Sequence, residues 1–186
     1  MDKMQARDLI LMLLDAVGGS INTKTMIQKE IYFVCESIGV DLNFKAHFYG
    51  PYSSEVENGL DQLVAAGFVA MQSSNFGVVG NKGFEIKRYD FKIMEEGRQL
   101  AGFLRQQDEK TADSIKDFVE KLNQINGIDY ISLSAAAKVH FILKREGKPL
   151  TDANIKERAN LLGWQIETSD IAKAEQILEK LGYLAK

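Results

Sequence analysis

The sequence of 186 residues contains one cysteine, two prolines, one tryptophan and two histidines. A single cysteine, Cys35, excludes a disulfide within the chain and indicates a reducing compartment, which predicts a cytoplasmic protein. A zinc site needs several closely spaced Cys or His ligands, whereas His47 and His140 are far apart in the sequence. We therefore expect neither a metal nor another cofactor.

Long hydrophobic runs and an excess of positive charge are also missing. The apolar run at residues 9–14 is too short to span a membrane, and no signal-peptide pattern follows it. We therefore predict no membrane partner. The net charge is −3, and neither half of the chain is net positive, so there is no overall attraction to nucleic acid or to an anionic membrane.

The pattern of apolar residues predicts a mainly helical chain. Apolar residues recur at helical spacing, and glycines follow several of these segments. The predicted helices cover residues 2–17, 23–38, 54–66, 95–105, 108–125, 132–146, 151–162 and 168–181. Strands are predicted at 68–72 and 85–93, with a Gly- and Asn-rich hairpin tip between them. Residues 40–52 are predicted to be a loop or short extended structure.

The order of these elements predicts the fold. Three helices followed by a hairpin are typical of a winged helix-turn-helix domain. Ser54 and Glu57 have the spacing of a capping box at the start of the third helix, and Gly67 suits its end. We predict a mainly α (α+β) fold, with a winged helix-turn-helix domain at 1–106, a small β-hairpin wing, and a helical C-terminal region at 107–186.

Several short motifs resemble known families. Residues 26–33 (MIQKEIYF), residues 48–53 (FYGPYS) and the spacing Leu60-x-x-Leu63-x-x-x-Gly67 are similar to the YwgA-like group of uncharacterised bacterial and archaeal proteins. They also resemble the Panacea (SocA-like) antitoxin domain. Residues 159–164 (ANLLGW) are similar to a run of the YwgA-like group. The resemblance implies a winged-helix core and, for the Panacea domain, neutralisation of toxins through protein contacts.

One hypothesis is a non-enzymatic transcriptional regulator that binds double-stranded DNA. The third helix of a winged helix normally enters the major groove, where basic residues contact phosphates. Residues 53–66 carry three carboxylates and no basic residue, so this helix is a poor major-groove reader. Contacts are expected instead from the hairpin and from the start of the helix. The predicted DNA-binding residues are Lys82, Lys87, Arg88, Ser53 and Ser54.

The alternative is a protein-interaction module, either antitoxin-like or an adaptor. Its contact surface is the acidic helix at 53–66 together with the aromatic turn that precedes it. The predicted partner-binding residues are Tyr49, Tyr52, Glu55, Glu57 and Asp61. No catalytic motif stands out in the sequence, so no catalytic residue is predicted.

Two helices indicate a homodimer. The run at 9–14 is apolar on every side, and the helix at 108–125 has one continuous apolar stripe formed by Ile115, Phe118, Leu122 and Ile125. Such helices pair two copies of many winged-helix regulators. The alternative is that both helices pack within one chain.

Overall fold

The computed structural model describes residues 4–78 and 85–184, and for 74–78 and 85–88 it describes the backbone only. The described residues are mainly helical, with a small antiparallel sheet. The helices are α1 (Ala6–Ala16), α2 (Lys24–Ile38), α3 (Ser54–Ala65), α4 (Glu95–Gln107), α5 (Glu109–Asn123), α6 (Tyr130–Glu146), α7 (Asp152–Leu161) and α8 (Thr168–Leu181). The strands are β1 (Ser20–Asn22), β2 (Lys45–His47), β3 (Gly50–Tyr52), β4 (Val69–Val78) and β5 (Glu85–Ile93).

The eight predicted helices all form, with ends that differ by a few residues. The two predicted strands also form, as β4 and β5, but β4 continues to Val78 and so includes residues predicted as the hairpin tip. Residues 79–84 of the predicted tip lie outside the described residues. The short strand β1 was not predicted, because a strand of three residues is too short to show an alternating pattern. The strands β2 and β3 lie within residues 40–52, which were predicted to be a loop or short extended structure. The coarse prediction of a mainly helical α+β chain is therefore confirmed.

A three-stranded antiparallel sheet has the order β1-β5-β4. Ile21 pairs with Phe91, and Val69 pairs with Ile93. All four of these side chains are buried, which places one face of the sheet on the core. Lys92, next to Phe91, is exposed, as the alternation of β5 predicts.

Helix α1 lies at the centre of the core. All six side chains of residues 9–14 are almost completely buried, and the helix packs against α3, α4 and α5. On α5, Ile115, Phe118 and Leu122 are buried within the same chain. The packing of a single chain therefore accounts for the apolar run of α1 and for most of the apolar stripe of α5, and the homodimer stays a prediction.

The hydrophobic core is continuous between residues 1–106 and 107–186. Phe33 of α2 stacks on Phe118 of α5 with a centroid distance of 6.3 Å. The hydroxyl of Tyr183 also donates a hydrogen bond to the carbonyl of Phe33 at 2.5 Å. The division near residue 106 stays a prediction, and the packing places both regions around α2.

Glu30 of α2 is a buried carboxyl, and its Oε2 atom has no hydrogen-bond partner among the described residues. Burial raises its pKa from 4.5 to about 8. The carboxyl is therefore protonated in the folded protein at pH 7, whereas it is ionised in the unfolded chain. Because the folded pKa is the higher one, stability falls as the pH rises from about 4.5 to 8.

Glu30→Gln should remove the loss of stability that the wild type shows as the pH rises. At pH 8 we expect its free energy of unfolding to exceed that of the wild type by on the order of 3 kcal/mol. Near pH 4.5 the two should differ much less, because the wild-type carboxyl is then neutral in the folded protein and only about half ionised in the unfolded chain. Urea denaturation at both pH values measures this, with Glu120→Gln on the exposed side of α5 as the matched control. If the free energies of unfolding of Glu30→Gln and the wild type differ by the same amount at both pH values, the raised pKa of Glu30 is contradicted.

Candidate functional site

Strands β2 and β3 form a hairpin that projects its turn from the surface. Their register pairs Lys45 with Tyr52 and His47 with Gly50. Gly50 has a φ of +108°, and a Cβ at this position would lie 3.1 Å from Cγ of Lys138. The hairpin therefore requires a glycine at position 50, both for its backbone conformation and for its close approach to α6.

The second strand of the hairpin is hydrogen bonded to α2. The side-chain amide of Gln28 donates to the carbonyl of Ser53 at 2.9 Å, and its Oε1 accepts from the Ser53 amide at 3.0 Å. One residue along α2, the amine of Lys29 donates to the carbonyl of Pro51 at 2.6 Å. Gln28, Lys29 and Ser53 are all buried, so these bonds are shielded from water.

The amine of Lys29 is unusual because its hydrogen-bond acceptor is a backbone carbonyl and not a carboxylate. Burial, and secondarily the positive charge of Lys138, lowers its pKa to about 7. The amine is thus close to half-protonated at neutral pH. A carbonyl acceptor suits both forms, since an amine and an ammonium can each donate to it.

Trp164 fixes the first strand of the hairpin from the C-terminal part of the chain. Its Nε1 atom donates to the carbonyl of His47 at 2.6 Å, and its ring is buried edge-on against Phe141. Gly163, with a φ of +73°, ends α7 and turns the chain so that the Trp164 amide donates to the carbonyl of Ala159 at 2.9 Å. The ANLLGW segment therefore serves to place this indole under the hairpin.

The turn of the hairpin exposes two aromatic rings. Phe48 is 74% exposed and Tyr49 is 55% exposed, and their rings meet edge to face with centroids 5.2 Å apart. We call these two residues the aromatic tip. Large exposed aromatic side chains on a firmly anchored turn are typical of surfaces that contact other proteins.

The start of α3 differs from the predicted capping box. Ser53, not Ser54, is the N-cap, and its hydroxyl accepts from the amides of Glu55 and Val56. The predicted box was wrong because, with Ser53 as the N-cap, the third residue of the helix is Val56, which has no side-chain acceptor. Glu57 instead accepts a hydrogen bond from the hydroxyl of Tyr52 at its Oε2 atom. This hydrogen bond lowers the pKa of Glu57 and raises that of Tyr52 to about 12, so the pair is a carboxylate and a neutral phenol at pH 7.

Four of the five predicted partner-binding residues lie together. Glu57 and Asp61 each accept a hydrogen bond from the amine of Lys24, at 3.3 and 3.2 Å. Tyr49 and Tyr52 line the same small apolar cleft as Glu57. Glu55 lies apart, where its carboxylate accepts from the side-chain amide of Asn43. The acidic face of α3 is therefore partly neutralised within the chain.

The predicted DNA-binding residues are spread over two regions. Lys82 lies outside the described residues, and Lys87 and Arg88 lie on β5, where only the backbone is described. The hydroxyl of Ser53 is buried and also donates to the carbonyl of Leu42. Ser54 is exposed on the first turn of α3, so it is the one of the two serines that a phosphate can reach.

A larger groove, with a volume of about 720 Å³, lies on the other side of the aromatic tip. It runs between α6, α8 and the loop that precedes α6, and Tyr49 forms part of its wall. We call it the lysine groove, after Lys138, Lys173 and Lys180, which line it. The sequence pattern did not indicate it, although the seven-residue spacing of Lys173 and Lys180 places both on one face of a helix.

No group of three His, Cys, Asp or Glu side chains suited to a metal ion occurs in the part of the chain that the structure describes. Cys35 is buried, and burial raises the pKa of its thiol to about 12. The hydroxyl of Tyr32 is hydrogen bonded to Nδ1 of His140 at 2.8 Å, and burial lowers the pKa of this imidazole.

The comparisons with known proteins leave the family open. The chain matches no protein-family model, and no curated protein sequence is significantly similar to it. The resemblance to the YwgA-like and Panacea groups therefore stays a prediction. Within residues 4–78 and 85–184, none of the helices combines the length and the hydropathy that a membrane span requires.

Trp164→Phe tests the anchor of the hairpin. The change removes the hydrogen bond to His47 and leaves a small cavity, so we expect the free energy of unfolding to fall by about 2 kcal/mol. Leu161→Ala is the control, because this side chain is 73% exposed and its loss should change stability by less than about 0.5 kcal/mol. Thermal and urea denaturation followed by circular dichroism measure both. Equal stability of Trp164→Phe and the wild type would contradict the role of the indole.

Proposed function

We propose that the protein is a non-enzymatic protein-interaction module whose contact surface is centred on the aromatic tip. The observation that carries this proposal is the combination of exposure and anchoring. Phe48 and Tyr49 face solvent, while the strands on both sides of them are hydrogen bonded to the buried side chains of Trp164, Lys29 and Gln28.

Anchoring favours binding because it reduces the entropy that a contact surface loses when a partner orders it. The backbone of the tip is already fixed by hydrogen bonds from α2 and from Trp164. Aromatic rings also bury a large area with few rotatable bonds. A partner that covers Phe48 and Tyr49 therefore gains apolar contact at a low ordering cost.

The neighbouring carboxylates have a secondary role in this proposal. Lys24 already neutralises part of the charge of Glu57 and Asp61, and Tyr52 occupies the other oxygen of Glu57. A basic residue of a partner can still approach Asp61, whose side chain is largely exposed. The aromatic rings provide the contact area, and the carboxylates select among partners by charge.

Binding to double-stranded DNA is the second candidate, and the sheet supports it. A short strand follows α1, and after α2, the hairpin β2–β3 and α3 come two long strands, with the sheet order β1-β5-β4. This order is compatible with a winged helix and supports the proposal. In this proposal β4 and β5 are the wing, and Lys87 and Arg88 on β5 contact phosphates, in one copy or in a homodimer. The carboxylates on α3 argue against DNA binding, because they repel phosphates.

Replacing the aromatic tip tests the first proposal. Affinity purification from the producing organism should recover specific proteins with the wild-type chain. Phe48→Ser/Tyr49→Ser should reduce their recovery by at least about tenfold, since a single hot-spot aromatic residue contributes about 2 kcal/mol or more. Leu161→Ser is the control, because it removes an equally exposed apolar side chain elsewhere. Equal recovery with all three proteins, or no enrichment over bare resin, would contradict the proposal.

Charge reversal on β5 tests the second candidate. If the wing binds DNA, the wild type should retard a generic duplex at low salt, and the retardation should fade as salt rises. Lys87→Glu/Arg88→Glu should abolish it. Lys110→Glu/Lys148→Glu makes the same charge change on exposed lysines outside the sheet and should preserve binding. A wild-type chain that retards no duplex at low salt would exclude this candidate.

A further inference from the structure

Two of the three lysines in the lysine groove have no ion-pair partner among the described side chains, whereas the amine of Lys138 lies over the ring of Trp164. Lys173 and Lys180 are exposed on α8, and no carboxylate lies within ion-pair distance of either amine among the described side chains. Two carboxylates lie in the groove, but both cap helices. Asp129 accepts from the amide and the hydroxyl of Ser132, and Asp170 accepts from the amide of Glu167 at 3.1 Å. Both carboxylates keep their charge, so the three lysines and two carboxylates that line the groove give it a net charge of +1.

The groove also presents apolar surface that the chain does not cover. At the start of α6, Tyr130 is 43% exposed and Ile131 is 62% exposed. Ile166 and Ile177, which are buried, also line it. Tyr49 continues this surface from the aromatic tip. Exposed apolar side chains that are grouped around a concavity and flanked by charges are typical of a binding site for another chain.

We infer that the lysine groove binds an acidic, partly apolar peptide segment of a partner protein. The apolar side chains of the segment pack on Tyr130 and Ile131, and its carboxylates pair with Lys173 and Lys180. This inference rests on the proposed function, since Tyr49 belongs both to the aromatic tip and to the wall of the groove. The groove predicts a partner segment with both acidic and apolar residues, whereas the aromatic tip alone predicts only apolar contact.

The distance between the two lysines determines the distance expected between the carboxylates of the bound peptide segment. Lys173 and Lys180 are seven residues apart on one helix, which is about 10 Å along its axis. Carboxylates three residues apart on an extended segment also span about 10 Å, and so do carboxylates seven residues apart on a helix. We therefore expect acidic residues at one of these two spacings, with apolar residues between them.

A nucleic acid fits the groove less well than a peptide does. A DNA duplex carries about one negative charge per 1.7 Å of its axis, a density that two separated lysines do not match. The capping carboxylates Asp129 and Asp170 lie in the same groove and repel closely spaced phosphates. A duplex also offers no apolar side chain to cover Ile131.

Peptide selection tests the inference directly. Short random peptides displayed on phage are selected on the immobilised full chain, and the recovered peptides are synthesised with a fluorescent label. We expect them to be rich in Asp, Glu and large apolar residues. Fluorescence anisotropy should show binding that Lys173→Glu/Lys180→Glu weakens by roughly tenfold or more. Lys110→Glu/Lys148→Glu makes the same charge change outside the groove and should bind as the wild type does.

A charge swap makes the test stricter. Peptides in which every Asp and Glu is replaced by Lys should bind Lys173→Glu/Lys180→Glu better than they bind the wild type. The inference is overturned if no peptide is recovered, if the recovered peptides are not acidic, or if both double variants bind them equally. It is also overturned if a generic DNA duplex displaces the peptides from the groove and binds more tightly.

The two proposals can fail separately. If Phe48→Ser/Tyr49→Ser loses its cellular partners while Lys173→Glu/Lys180→Glu keeps them and binds the acidic peptides normally, the aromatic tip stands and the groove inference is wrong. If neither variant changes the recovery of any protein and no peptide binds, both proposals are wrong.

Discussion

The hydrogen bonds from α2 to the second strand of the hairpin are the constraint on which the proposed surface depends. Gln28 and Lys29 are buried polar residues on a helix that also carries much of the hydrophobic core. A buried polar side chain without a partner is costly, so both must find acceptors or donors nearby. The hairpin backbone from Pro51 to Ser53 supplies them. Hairpin position and core stability are thereby coupled.

The helices could be predicted because their signals are local. Apolar residues at helical spacing and glycines at helix ends appear within one segment, so no knowledge of distant contacts is needed. The hairpin could not be predicted in this way. Its strands have three residues each. They are held by Trp164, which lies 117 positions after His47, and by Gln28 and Lys29 on α2.

The candidate site was only partly visible in the sequence. The aromatic turn and the acidic helix were recognised from their composition, and the structure brings Tyr49, Tyr52, Glu57 and Asp61 together. Their internal partners were not visible, because Lys24 reaches Glu57 and Asp61 from a different helix. The lysine groove was missed for the same reason, since its walls come from α6, α8 and the hairpin.

The late position of Trp164 in the sequence determines when the hairpin surface can form during synthesis. The indole that holds the first strand of the hairpin belongs to the last quarter of the sequence. During synthesis on the ribosome, the N-terminal helices emerge long before this residue does. Until then the hairpin lacks one of its two anchors, and the lysine groove lacks α8. A nascent or truncated chain therefore cannot present the assembled surface, and contact with a partner must wait for the completed protein.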